Sequence, residues 1–284
     1  MTDLVIGANG LIGSSIMSYL DAVGTFHNKK DNFIEGRKYE FLELTDKTSV
    51  WCMFEKHRPK RVFLTAGVTN VDSCETLESD RVNVFGVSHV ISNCRTFDAQ
   101  LIFFSSPYVF DGKSQTPYKP YDPTSPINRY GRNKENVERT ILNREWLQFL
   151  IIRTVAVFGG IDFVSQVKKA VKENRRVHVP VDQIVNPVYA PDLAKTVIHL
   201  SERYSGDIFH VAGNRCLSYY DFAIQIAYKL GHKKPHELII GMKLEDMEQL
   251  ARRPLNACLD CKTLEARAMT VPNLERGLNT FLES

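Results

Sequence analysis

Glycines 7, 10 and 13, in the stretch GANGLIG, follow an apolar run at residues 4–6 and open a stretch of helical periodicity at residues 11–20. A chain that passes from strand to helix through so short a turn needs residues without side chains. Gly7 permits the turn, Gly10 lets backbone approach a bound pyrophosphate, and Gly13 lets the helix pack on the strand. The free N–H groups and the helix dipole at such a turn favour an anion. The spacing is GxxGxxG rather than GxGxxG, so the position between strand and helix gives the motif its weight. A dinucleotide is the expected ligand.

The end of the second strand, at residues 23–26, chooses between dinucleotides. An acid there binds the ribose 2′-hydroxyl of NAD. The residues here are His27, Asn28 and Lys29, with no acid until Asp31. Cationic donors suit a 2′-phosphate, so NADPH is preferred, with NADH as the alternative.

Strand and helix patterns alternate through the first half. Further strands are expected at residues 61–66, 101–105 and 150–158, and helices at 48–56, 78–95 and 133–143. Continuous apolar strands separated by helices imply a parallel sheet covered on both faces. The fold class read from this is α/β, a doubly wound Rossmann-type parallel sheet with a smaller C-terminal α/β substrate-binding lobe. The core is placed at residues 1–160, with 186–212 returning to it. The lobe takes 161–185 and 213–284. Within these, a helix is expected at 163–173, an extended stretch at 177–189, a helix N-capped by Asp192, a strand at 207–211, and a helix at 219–230 capped by Ser218.

Composition removes several classes of function. The 284 residues are 43% hydrophobic and 24% charged, which is ordinary for a globular chain. A net charge of +3 calls for neither nucleic acid nor a membrane surface. The pairs Lys29-Lys30, Lys168-Lys169 and Arg175-Arg176 read as solvated faces. No secretory signal and no membrane span are expected, so the cytoplasm is the expected location. The cysteines at 52, 74, 94, 216, 258 and 261 read as reduced thiols. Cys258 and Cys261 form a single CxxC without a second pair, and His232 and His236 read as surface loop residues, so no metal is expected.

Tyr130 and Lys134 stand four apart at the start of a helix, where they share a face. An ammonium beside a phenol favours the phenolate, which lets the tyrosine exchange a proton with a substrate oxygen. Ser106 follows the strand at 101–105. The order of glycine loop, serine at a strand end and YxxxK carries more weight than any one of the three.

That ordered set, GANGLIG, SSPYVFDG (105–112) and YGRNK (130–134), resembles the extended short-chain dehydrogenase/reductases, and among them the dTDP-4-dehydrorhamnose reductase family. The segments at 68–75, 117–138, 182–194 and 252–265 extend the resemblance along almost the whole chain. The resemblance implies Tyr130 as catalytic acid, Lys134 as the residue that tunes it and holds the nicotinamide ribose, and Ser106 as a hydrogen-bonding partner of the substrate carbonyl. It implies Gly10, Leu11 and Ile12 at the pyrophosphate, Glu43 and Leu44 near the adenine, and Gly67, Val68 and Thr69 beside the ribose and nicotinamide. Arg253 falls in its substrate segment. Pro107 and Ala156 stand at substrate-side positions where the family commonly has aspartate and tryptophan. The implied reaction is hydride transfer from the nicotinamide to the C4 ketone of a nucleotide-sugar. Two alternatives accompany it. One is a non-catalytic NADP-binding regulatory subunit similar to the beta subunit of methionine adenosyltransferase. The other is a nucleotide-sugar epimerase on the same fold. A homodimer is left open.

Overall fold

The apolar runs assemble into one parallel sheet. The computed structural model describes residues 2–28, 33–143 and 148–283. Strand β1 (Asp3–Ile6) enters helix α1 (Leu11–Tyr19) through the glycine turn. Strands β2 (Ala22–Phe26) and β3 (Lys38–Phe41) follow, then α2 (Lys47–His57) and β4 (Arg61–Leu64). Helix α3 (Glu78–Asp80) runs through a π-helical turn, Arg81–Gly86, into α4 (Val87–Thr96). Next come β5 (Gln100–Ser105), α5 (Arg129–Leu142) and β6 (Phe149–Arg153).

Beyond β6 the strands are short: β7 (Val157–Phe158), then helix α6 (Phe163–Lys172), then β8 (Val177–Pro180), β9 (Ile184–Val185) and β10 (Val188–Tyr189). Helix α7 (Ala190–Arg203) and β11 (Asp207–His210) return to the main sheet. The chain finishes with β12 (Leu217–Ser218), α8 (Tyr219–Lys229), β13 (Ile239–Met242), α9 (Lys262–Glu265) and α10 (Leu274–Glu283).

The main sheet has seven strands in the order β11-β6-β5-β4-β1-β2-β3, all parallel. Side chains alternate between its faces, so Leu4 and Ile6 join one apolar cluster while Val5 joins the other. Strands β5 and β6 are buried at every residue, which is why they read as unbroken apolar runs. Strand order reverses between β1 and β4, and in such sheets ligands bind at the carboxyl ends beside that reversal. A third cluster, around Phe158, Val167, Phe222 and Leu278, forms between α6, α8 and α10.

Four expectations are corrected. Strand β3, an exposed edge reading Lys-Tyr-Glu-Phe, carries no apolar run and is absent from the sequence reading. Helix α5 begins at Arg129 rather than 133, because the Asn128 side chain accepts the Gly131 N–H at 2.8 Å and caps it there. Helix α7 has Tyr189 at its N-cap; Pro191 fits the first turn, and Asp192 lies inside that turn. Cys216 and Cys258 are joined as a disulfide, with a Cα separation of 5.9 Å, against the expectation of reduced thiols. The β9–β12 pairing and the bridge between Ile184 and Asn256 bring these distant segments together. Cys261 stays free and buried, and burial pushes its thiol up to about 12. Among the described residues no group of side chains could hold a metal ion, and no helix is long and apolar enough to cross a membrane.

The glycine turn sets a sharp test of packing. A Cβ on Gly13 would stand 2.2 Å from the Gly7 carbonyl oxygen and 2.8 Å from the Ala8 Cα, both backbone atoms. Gly13→Ala is therefore expected to force β1 and α1 apart and to destabilise the fold by about 1–3 kcal/mol. An unchanged thermal midpoint would contradict this packing.

Candidate active site

A cleft of about 690 Å³ opens at the carboxyl ends of β1, β4 and β5. Gly7, with φ of +86°, closes its floor. A Cβ there would meet the backbone of Ala66, at the end of β4, at 2.6 Å. Gly10 is the N-cap of α1 and supplies no capping side chain, and the first turn of α1 carries no acid. The backbone donors of that turn are thus left for a bound anion.

On the other side stand the groups at the ends of β5 and α5. Ser106 is 7% exposed and N-caps a 3₁₀ turn at Pro107–Val109; its Oγ accepts the Tyr108 N–H at 3.3 Å. The Ser106 hydroxyl also acts on the Tyr130 phenol, in the direction that lowers it. The edge of the Tyr108 ring meets Tyr130, with centroids 5.8 Å apart. Lys134, one turn along α5, donates from Nζ to the Phe104 carbonyl at 2.8 Å and sits 4.8 Å from the Phe103 ring centroid.

The electrostatics differ from the simple pairing expected. Burial pushes the Tyr130 phenol well above its ordinary value, and the neighbouring Ser106 hydroxyl only partly offsets this. Burial also brings the Lys134 ammonium down to about 8, while Glu138 acts in the opposite sense. Lys134 Nζ, turned to the Phe104 carbonyl, lies 5.8 Å from the Tyr130 ring centroid. Tyr130 is therefore protonated near neutral pH.

The cleft gathers Gly7, Gly10, Leu11, Ile12 and Gly13, with His27, Asn28 and Leu44 at one end. Gly67, Thr69, Ser106, Tyr130, Lys134 and Ala156 line the other end. Ala156 has φ of +46°, a conformation that L-residues adopt at some cost. Four of the expected residues do not line the cleft. Glu43 instead accepts from Thr45 and pairs with His27 at 2.8 Å. The backbone of Val68 is held on both sides by Asn83. Pro107 is buried in its 3₁₀ turn. The Arg253 guanidinium is held by Asp72 and lines an adjoining cavity of about 590 Å³. Lys29 lies outside the described residues.

Sequence reasoning missed Asn83. It projects from the π-helical turn, accepts the Val68 N–H at 2.8 Å and donates to the Val68 carbonyl at 2.9 Å. That clamp fixes the loop at 67–69 on the cleft wall. Nothing local announces a π-turn, although such turns gather at functional sites. Tyr108 and Tyr219, which also line the cleft, were likewise unread.

The Arg253–Asp72 pair ties the 250–253 segment to the loop before α3. Asp72 accepts from the Leu250 and Ala251 N–H groups and twice from Arg253, at 2.9 and 2.7 Å. The hydrogen bonds from Arg253 hold its carboxyl down to about 2. A depressed carboxylate stabilises the fold above its unfolded value of about 4 and loses that contribution as pH falls through its folded value. Asp72→Asn is expected to lower the thermal midpoint at neutral pH and to flatten its fall between about pH 4 and pH 2. A parallel acid profile for the two proteins would contradict the pairing.

Fold and site together define a doubly wound dinucleotide-binding protein of the extended short-chain dehydrogenase/reductase class. The chain belongs to the RmlD substrate binding domain family, whose model matches residues 1–284. It is 30% identical over 275 residues to a dTDP-4-dehydrorhamnose reductase of Aggregatibacter actinomycetemcomitans, covering 92% of this chain and 91% of that one. It is 26% identical to methionine adenosyltransferase 2 subunit beta of Xenopus tropicalis, over 92% of this chain and 81% of that one. A crystal structure of dTDP-4-dehydrorhamnose reductase from Bacillus anthracis, in complex with NADP, superposes with a TM-score of 0.85 at 24% identity, covering 100% of each chain.

Proposed function

We propose that the chain reduces the C4 keto group of a nucleotide-activated deoxysugar with NADPH, dTDP-4-dehydrorhamnose being the sugar and dTDP-rhamnose the product. One observation carries the reading. The uncapped N-terminus of α1 and the Ser106–Tyr130–Lys134 group face the same cleft at the strand-order reversal. The residues present fit a dinucleotide. Gly7 and Gly13 leave backbone where a side chain would intrude, and α1 leaves its first donors without a cap. His27, held by Glu43, and Asn28 stand at the end of β2, where the 2′-phosphate of NADPH would lie.

When bound, NADPH supplies the hydride for the sugar carbon. The chain's own groups handle the oxygen. Ser106 Oγ holds the ketone oxygen in place by a hydrogen bond. Tyr130 gives its phenolic proton to that oxygen as negative charge develops on it. Lys134, cationic and close by, stabilises the phenolate left behind until solvent returns a proton. Ala156 leaves room on the sugar side of the cleft.

The relative named methionine adenosyltransferase 2 subunit beta favours a second reading, in which the same cleft binds NADP without turnover. NADPH oxidation with dTDP-4-dehydrorhamnose separates the two. Turnover with a reduced sugar product supports the reductase. NADP binding without consumption of NADPH supports the regulatory subunit.

A further inference from the structure

The geometry points to Glu138, locked by Arg153, as a positioning residue that holds the Tyr130–Lys134 face of α5 against the strand end carrying Ser106. The inference rests on the reductase reading. Tyr130, Lys134 and Glu138 are four apart in turn, so they form one stripe on α5. That stripe meets β5 at successive residues. Lys134 Nζ donates to the Phe104 carbonyl at 2.8 Å, and Ser105 Oγ donates to Glu138 Oε1 at 2.5 Å. Residue 106 is the serine itself. Two bonds from α5 thus secure the two residues that lead into Ser106.

Arg153, at the end of β6, fixes the carboxylate. Its Nε donates to Glu138 Oε1 at 2.9 Å and its Nη2 to Oε2 at 2.6 Å, a fork that leaves one orientation. Both side chains are 3% exposed. Arg153 also donates to the Pro120 carbonyl at 2.8 Å and lies over the Phe110 ring. A buried ion pair is weak evidence for stability, since apolar residues of similar volume often serve as well. Its place beside the site gives it a second role.

The carboxylate acts on Lys134 through charge as well as position. Burial depresses the ammonium to about 8, and Glu138 pulls it back up. Apart from the Arg153 cation that Glu138 pairs with, the groups around Lys134 and Glu138 are neutral near pH 7. Burial raises the Cys74 thiol, and burial with the Arg153 charge holds His210 down to about 3. Tyr130 faces Lys134 as a protonated phenol. Among the ionisable groups facing Lys134, Glu138 is thus the anion that keeps it charged near neutral pH.

The test compares wild type with Glu138→Gln. In turnover, kcat is expected to fall about 10- to 100-fold, with KM for NADPH and for the sugar changed by less than about twofold. The alkaline limb of the kcat profile is expected to move down by about one pH unit. Carbon-13 NMR titration of the Lys134 ε-carbon, assigned with Lys134→Arg, reads the same shift without substrate. A Lys134 midpoint and kcat both unmoved in Glu138→Gln overturn the inference. If wild type turns over no 4-keto sugar while the NMR midpoint still moves, the reductase reading fails and the coupling of Glu138 to Lys134 stands. If Glu138→Gln fails to fold, Glu138→Gln with Arg153→Met leaves no lone buried charge. That protein is expected to show a smaller downward shift and reduced kcat, and wild-type values for both overturn the inference.

Discussion

Tyr130→Phe is expected to lower kcat for the 4-keto sugar by about 10³-fold while leaving the affinity for NADPH within about threefold. The ring keeps its packing against Tyr108, so the cleft keeps its shape. What is lost is the proton that the new alkoxide needs. Ser106 cannot replace it, because an aliphatic hydroxyl is a weaker acid than a phenol. Steady-state kinetics and fluorescence titration of NADPH read the two quantities separately. A kcat within fivefold of wild type would place the proton donor elsewhere.

Gly131→Ala is expected to be nearly as damaging, through geometry alone. A Cβ at 131 would stand 2.0 Å from the Tyr108 carbonyl oxygen and 2.9 Å from the Pro126 side chain. Tyr108 follows Ser106 closely, and Gly131 follows Tyr130, so this is where the two halves of the site touch. The added methyl must push α5 away from the 3₁₀ turn. The helix start resists, because the Arg129 N–H donates to Glu75 at 2.8 Å and its guanidinium pairs with Asp80. Overpacking of this kind costs about 1–3 kcal/mol. Displacement of the phenol by even about 1 Å costs about 100-fold in rate. A fall in kcat larger than the loss of thermal stability accounts for is the expected signature. Wild-type kcat in a folded Gly131→Ala protein would contradict the close approach.

The legible parts of the site were those carried by local chemistry. The glycine turn, the serine at a strand end and the tyrosine four residues before a lysine each fall within one strand–turn–helix unit. The structure brings Gly10, Ser106, Tyr130 and Lys134 to one cleft. The illegible parts depend on segments distant in sequence. Asn83 reaches Val68 only because of a π-turn, and Arg253 meets Asp72 across 181 residues. Cys216 finds Cys258 through strand pairings that neither short segment reveals. Strand β3 was invisible because an exposed edge does not need an apolar face. Asp192 had the chemistry of a cap, yet Pro191 set the helix start upstream of it.

These placements bear on the sugar as well as on the chemistry. Arg253 is committed to Asp72 and lines the neighbouring cavity, whereas Ala156, Tyr108 and Tyr219 line the main cleft. Binding energy for the sugar should therefore respond more to bulk at 156 than to charge at 253.

Hydride transfer itself is the step on which everything rests. NADPH carrying deuterium at the transferred position is incubated with dTDP-4-dehydrorhamnose, and the product is analysed by mass spectrometry and NMR. The predicted result is deuterium at C4 of the sugar in proportion to the NADPH consumed. A product without deuterium at C4, or NADPH bound and never consumed, would contradict the reductase reading.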